Sequence, residues 1–150
     1  MIEIATVSDA KTLTKIALKS KSFWGYSDEI LERWVKDLTV SKKIVQEMIV
    51  YKFILDDEII GFYILNQPKE KSIELEFLFV LPDFIGKGIG NQLIHHAFMK
   101  AKNLNCNQVT LLADPNAVSF YEYRGFTITD KKESAIAGRF LILMKKDLSE

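Results

Sequence analysis

Between an apolar run over residues 77–81 and a helical pattern that begins at Asn91 lies Pro82-Asp83-Phe84-Ile85-Gly86-Lys87-Gly88-Ile89-Gly90. Three glycines at alternate positions let the backbone approach an anion closely and reach dihedrals that other residues avoid. The first turn of the helix that follows adds unbonded N–H groups at the positive end of its dipole. A strand, a glycine loop and a helix start together make a phosphate cradle, and Lys87 puts a cation where the phosphate would lie. The chain has only seven glycines in 150 residues, so three within five positions favour an anion site over plain turn chemistry.

Three phosphate cradles compete for this loop. A Walker-type loop needs a Ser or Thr after its lysine to hold magnesium; here Lys87 is followed by Gly88, and that reading is poor. A dinucleotide fingerprint needs Gly-x-Gly-x-x-Gly and an acidic residue about 20 positions further on. Asp114, after Val109-Thr110-Leu111-Leu112-Ala113, sits near that place and keeps a nucleotide-binding oxidoreductase open as an alternative. Against it, the third glycine comes one residue early, and too little chain follows Asp114 for a doubly wound domain.

The third cradle fits better. Ile85 through Gly90 resembles the acyl-CoA-binding motif of the GNAT superfamily of N-acyltransferases, Gln/Arg-x-x-Gly-x-Gly/Ala, with Ile85 where the family usually carries Gln or Arg. The hold on the cofactor then falls to Lys87 and to the main-chain amides of Gly86, Lys87, Gly88, Ile89, Gly90 and Asn91. A second stretch, Asp114-Pro115-Asn116-Ala117-Val118-Ser119-Phe120-Tyr121-Glu122-Tyr123-Arg124-Gly125-Phe126, is similar to the family's Asn-x-x-Ala-x-x-Phe-Tyr-x-x-x-Gly-Phe segment, shortened by a position or two after Asn116. The two motifs stand in the family's order and at its separation. The resemblance covers the C-terminal half strongly and the N-terminal half by pattern. It implies one GNAT-type α/β domain over residues 1–150, with a mixed, mostly antiparallel central sheet flanked by helices and strands splayed at the CoA site. It also implies an N-acetyltransferase that uses acetyl-CoA to acetylate a primary amine of a small molecule or peptide, by direct attack in a ternary complex. A non-catalytic acyl-CoA-binding or sensing module is the alternative that would keep the cradle and dispense with the chemistry.

Such a transfer makes three demands. An aliphatic amine with a pKa of about 10 is mostly ammonium at neutral pH, so a base must take a proton. Glu74 and Glu76 alternate on one face of the strand that leads to the loop and are the base candidates; the apolar neighbours Phe77 and Phe79 would suit such a base. By resemblance Glu74 falls where some family members place theirs, leaving Glu76 to help hold the amine. The thioester oxygen needs a donor as charge builds on it. The resemblance points to the Val80 N–H, and to free main-chain groups of Leu78, Phe79 and Val80 that would pair with the pantetheine arm as an added strand does. The leaving thiolate needs a proton donor, which in the family is often the tyrosine of the Phe-Tyr pair, here Tyr121. Asn116 is expected on the pantetheine arm or as a helix cap after Pro115, with Phe120 beside the cofactor; core packing is the competing role for Phe120 and Tyr123. Trp24 and Tyr26, with Phe23, would wall the acceptor pocket, and Arg139 would meet an acidic acceptor group.

The elements that must position these residues follow from periodicity and turn signals. Residues 2–7 read as a strand and 8–20 as a helix capped by Ser8; Ser27 opens a second helix carrying Ile30, Leu31, Trp34, Val35 and Leu38. Residues 48–55 and 58–65, joined by Asp56-Asp57, read as a hairpin. A strand over 73–81, a helix over 91–102, a strand over 108–113, a short helix over 116–123 and a strand pair over 125–130 and 139–146 complete the order. No repeat or linker interrupts it.

Composition narrows the partners. Twenty basic and twenty acidic residues cancel, so net charge offers no attraction to nucleic acid or an anionic membrane. The lone Cys106 allows no internal disulfide and suits a reducing compartment. Adjacent His95 and His96 cannot share one metal from a helix, so no metal is expected. No apolar stretch reaches membrane-spanning length and Met1-Ile2-Glu3 does not open a signal peptide, which makes a cytoplasmic location the expectation. Exposed C-terminal strands are the expected route to any homodimer.

Overall fold

The computed structural model describes residues 1–23, 25–133 and 140–148; Trp24 and Arg139, two of the residues expected at the acceptor, lie outside them. In chain order the elements are β1 (Ile2–Ile4), α1 (Ala10–Ser22), α2 (Asp28–Leu38), α3 (Lys42–Glu47), β2 (Ile49–Leu55), β3 (Glu58–Leu65), β4 (Ser72–Val80), α4 (Ile89–Asn103), β5 (Gln108–Ala113), α5 (Val118–Tyr123), β6 (Thr127–Glu133) and β7 (Phe140–Asp147). The strands form a seven-stranded sheet in the order β1-β2-β3-β4-β5-β7-β6. Pairing is parallel between β4 and β5 and antiparallel in β1·β2, β2·β3, β5·β7 and β6·β7. The fold is therefore α/β with a mixed sheet, as expected.

Two local expectations change. Ser8 does not cap α1: the Thr6 N–H donates to Asp9 Oδ2 at 2.8 Å, and a single 3-10 turn, Val7–Asp9, leads into the helix. Helix α3 is additional. Ser41 caps it by accepting the Ile44 N–H at 3.1 Å, but six residues are fewer than two turns, too few to show a helical period.

Contacts divide the chain into two compact groups, residues 1–67 with 77–97, and residues 68–76 with 98–150. In the first, Asp56 and Asp57 adopt φ of 50° and 63°, the left-handed pair whose twist matches a two-residue hairpin. The α1 stripe Leu13, Ile16 and Ala17 packs with Phe62 and Ile64 of β3, and with Ala5, Leu38, Val40 and Val50. Each such large apolar side chain contributes about 1.5–3 kcal/mol on full burial. On the other face of β3, Tyr63 is fully buried and its hydroxyl bonds His96 Nδ1 of α4 at 2.7 Å. Burial on both faces explains why β3 reads as an unbroken apolar run. Helix α2 sits shallower: only Leu38 is buried, Ile30, Leu31 and Trp34 are half-buried and Val35 is exposed.

In the second group Ile73 and Leu75 alternate inward beside Val109, Leu111 and Ala113, with Met144 of β7 opposite Leu111. Phe126 is buried, 5.9 Å from the Phe98 ring and 5.5 Å from that of Tyr121. Tyr123, considered above as a core residue, is 88 % exposed. Two positions along a helix rotate a side chain by about 200°, so α5 cannot bury Tyr121 and Tyr123 together.

Candidate functional site

The glycine loop has the backbone that its sequence implies. A 3-10 turn, Pro82–Phe84, ends β4's exit. Gly86 and Gly88 then take φ of +84° and +80°, values that an L side chain adopts only at a cost of about 1–2 kcal/mol. A Cβ at either would meet nothing within 4 Å; the glycines serve dihedral angle, and leave the loop's surface open. Helix α4 starts at once. Its first bond runs from the Gln92 N–H to the Gly88 carbonyl at 3.1 Å, so the amides of Gly88, Ile89 and Gly90 precede any intrahelical acceptor. These donors sit at the positive end of a 15-residue helix, the arrangement that binds phosphate. Ile85 is 45 % exposed, and its side chain brings no hydrogen-bonding group. Lys87 is exposed, its ammonium 5.7 Å from the Phe84 ring centroid.

Strand β4 leads to this loop. Its ladder with β5 ends at Leu75↔Leu111, although β5 continues to Ala113 and β4 to Val80. At its far end the Leu81 N–H bonds the Ile60 carbonyl of β3 at 2.8 Å. Successive amides of a strand point to opposite edges, so the Val80 amide points away from β3. Gly61 lets β3 lie close: a Cβ there would stand 2.9 Å from the Phe79 carbonyl oxygen.

Glu74 and Glu76 share a face, as their spacing requires. Glu74 is half-buried, opposite Thr110 of β5, and Glu76 is exposed. Phe77 and Phe79 are not their apolar neighbours. They belong to the alternate face of β4 with Ile73 and Leu75, and pack with Leu81 on the α1 core cluster.

The second motif forms a turn and a short helix. Asp114, and not Asn116, is the cap: its side chain accepts the Asn116 N–H at 2.9 Å. Asn116 is exposed and Phe120 half-buried, with the Arg124 guanidinium carbon 3.6 Å from the Phe120 ring centroid and its Nη1 donating to the Phe120 carbonyl at 2.8 Å. Tyr121 is only 9 % exposed. Burial raises this phenol well above its ordinary value, while the charge of Arg124 works in the opposite direction.

On the acceptor side, Tyr26 packs edge-on against Trp34 at 4.8 Å, and the Lys21 ammonium lies 5.2 Å from the Trp34 ring centroid. Phe23 is 51 % exposed. Among the described residues no cluster of three His, Cys, Asp or Glu could hold a metal, and no helix is long and apolar enough to cross a membrane. Cys106 is buried, which pushes its thiol up and away from nucleophilic use. Sequence reasoning missed Ser20, whose hydroxyl donates to the Val80 carbonyl at 2.7 Å. A polar residue on the apolar stripe Leu13, Ile16, Ala17, Ser20 was the available signal.

Residues 24–148 match the family model for the acetyltransferase (GNAT) domain. A peptidyl-lysine N-acetyltransferase of Salmonella typhimurium is 35 % identical over 77 residues, covering 51 % of this chain and 48 % of that protein. A spermidine N(1)-acetyltransferase of Thermoplasma acidophilum is 28 % identical over 141 residues, covering 83 % and 86 %. That relative apart, the chain spans about half or less of the length of the curated relatives it matches. The crystal structure of the PaiA N-acetyltransferase of Thermoplasma acidophilum, a complex with coenzyme A, superposes with a TM-score of 0.83 at 24 % identity over 98 % of both chains. The family model covers most of the sequence, the seven-stranded mixed sheet agrees with it, and this chain belongs to the GNAT acetyltransferase family.

Proposed function

We propose that this protein transfers an acetyl group from acetyl-CoA to a primary amine, by direct attack within a ternary complex. The observation that carries the reading is the loop: two glycines with positive φ, a lysine, and a helix start whose leading amides have no intrahelical acceptor. A pyrophosphate needs such a set of fixed donors, and the loop offers no side chain that a Walker-type magnesium site requires. Acetyl-CoA would supply the activated acyl carbon as a thioester; the amine nitrogen bonds to that carbon, the carbon–sulfur bond breaks, and one amine proton leaves to a base.

The chain's own residues divide this work. Gly86 to Asn91 and Lys87 hold the diphosphate, with Leu78, Phe79, Asn116 and Phe120 along the rest of the cofactor. The Val80 amide, on the β4 edge away from β3, donates to the thioester oxygen. Glu74 or Glu76 takes the amine proton. The Tyr121 hydroxyl serves the departing sulfur. An ordinary phenol, pKa about 10, is a weaker acid than an ordinary thiol at about 8.5, and burial widens that difference. Tyr121 therefore stabilises the thiolate by donating a hydrogen bond and keeps its own proton. Tyr26 and Trp24 wall the acceptor and Arg139 meets its acidic group. The peptidyl-lysine and spermidine relatives point to an aliphatic amine, small or on a peptide, and a reducing, cytoplasmic setting suits the buried Cys106.

Isothermal titration with CoA is expected to show binding that Gly88→Asp abolishes; no binding by the natural chain ends the proposal. Free-thiol release from acetyl-CoA should follow on addition of one member of an amine panel that includes spermidine and a lysine peptide. Binding with no release across the panel would favour the non-catalytic module.

A further inference from the structure

The peptide that joins Val80 to Leu81 is held from both sides. Its N–H, that of Leu81, bonds the Ile60 carbonyl at 2.8 Å. Its carbonyl, that of Val80, accepts the Ser20 hydroxyl of α1 at 2.7 Å. In a trans peptide the two groups point in opposite directions, so the pair of bonds fixes the tilt of the plane. Strand β4 has run past its last partner on β5 by this point, and the serine supplies the donor that a further sheet amide would have given. Ser20 is 6 % exposed and is the one buried polar residue among the described residues. Its neighbours on the helix stripe, Leu13, Ile16 and Ala17, are apolar and buried. A hydroxyl there that served only to fill space would give way to alanine, as at position 17; its cost of desolvation is met by this hydrogen bond.

We infer that Ser20 is a positioning residue for the transfer reaction. By fixing the carbonyl of Val80 it sets the backbone rotation that aims the Val80 amide, one bond pair away, at the thioester oxygen. The inference rests on the proposed function and names a residue whose loss separates cofactor capture from carbonyl polarisation. The glycine loop is left untouched by the change, so Ser20→Ala should hold CoA with a Kd within about twofold of the natural chain. The same variant should lose roughly tenfold in kcat, less than the 10²–10³ of deleting an oxyanion donor outright because the amide is re-aimed and not removed.

Isotope-labelled valine gives a readout that needs no acceptor. In the natural chain the Val80 amide proton should shift between the CoA and acetyl-CoA complexes, because only the latter carries a carbonyl to bond. In Ser20→Ala that difference should collapse, and Ser20→Thr, which keeps the hydroxyl, should restore it. A Ser20→Ala protein with lower thermal stability but an unchanged acetyl-CoA shift and unchanged kcat would overturn the inference and leave the serine a purely structural role. Should the alanine variant not fold, Ser20→Cys, with its weaker donor, must show an intermediate shift and kcat; natural values for both would overturn it. Failure of the natural chain to bind CoA defeats the acetyltransferase reading, and this inference with it, whereas natural binding with an unaffected Val80 amide defeats the inference alone.

Discussion

Replacing Gly88 with alanine isolates the backbone from the side chain at the cradle. Gly88 has φ of +80°, and an added Cβ meets nothing within 4 Å, so there is no clash to relieve. What remains is left-handed strain of about 1–2 kcal/mol. It can be expressed in two ways. If α4 and the Pro82–Phe84 turn hold the loop rigidly, the free protein carries the strain: urea unfolding loses about 1–2 kcal/mol and CoA affinity is unchanged. If the loop relaxes, stability is retained and CoA must restore the strained form, which weakens Kd by roughly 5- to 30-fold at 1.4 kcal/mol per decade. In either case the stability loss and the affinity loss should add to the same 1–2 kcal/mol, because both paths end in one bound conformation. Titration calorimetry with CoA and urea denaturation of the same preparation give the two numbers. Gly88→Asn is the control, since asparagine tolerates the left-handed region better than alanine, and its combined loss should be smaller. An alanine variant with natural stability and natural affinity, or an asparagine variant as impaired as alanine, would refute the argument.

Three further outcomes are expected. Gly61→Ala pushes a Cβ to 2.9 Å from the Phe79 carbonyl oxygen and 3.2 Å from Leu93 Cδ1; the backbone partner cannot turn aside, so denaturation should show a loss of about 1–3 kcal/mol, and no loss would mean that β3 and β4 part freely. Tyr121→Phe keeps the buried ring and removes the hydroxyl, so turnover should drop by about 10- to 100-fold, on the scale of 1.5–3 kcal/mol for a hydrogen bond to a charged group, with the CoA Kd and melting temperature unchanged; natural turnover would remove Tyr121 from the reaction. At Asp9, burial alone raises the carboxyl, but the Lys52 ammonium at 2.7 Å, the Thr6 amide and the Lys52 charge prevail and hold it below its ordinary value. A depressed folded pKa stabilises above the unfolded value of about 3.9 and loses that contribution as pH falls through the folded one. Asp9→Asn should therefore cost about 1–3 kcal/mol near neutral pH, and the two proteins should converge in acid; a gap that stays constant down to about pH 2.5 would contradict this.

What the sequence determined by itself is what short-range chemistry controls. Gly86 and Gly88 take positive φ because glycine alone carries no Cβ penalty there, Asp56-Asp57 turns the hairpin, Ser27 caps α2, and β5 spans the expected residues. Each of these signals lies within a few residues of its effect. The tertiary structure decided the rest. The alternation of β4 put Glu74 and Glu76 on one face, but only packing on α1 showed Phe77 and Phe79 to be committed to the other. Tyr121 and Tyr123 look alike in sequence, and which of them turned inward depended on Phe126. The β4 ladder's end at Leu75 and the bond from Ser20 to a carbonyl 60 residues away have no local signature. They arise because a strand that leaves its partner must satisfy its carbonyls from whatever the fold brings alongside, and that neighbour is chosen by the path of the whole chain.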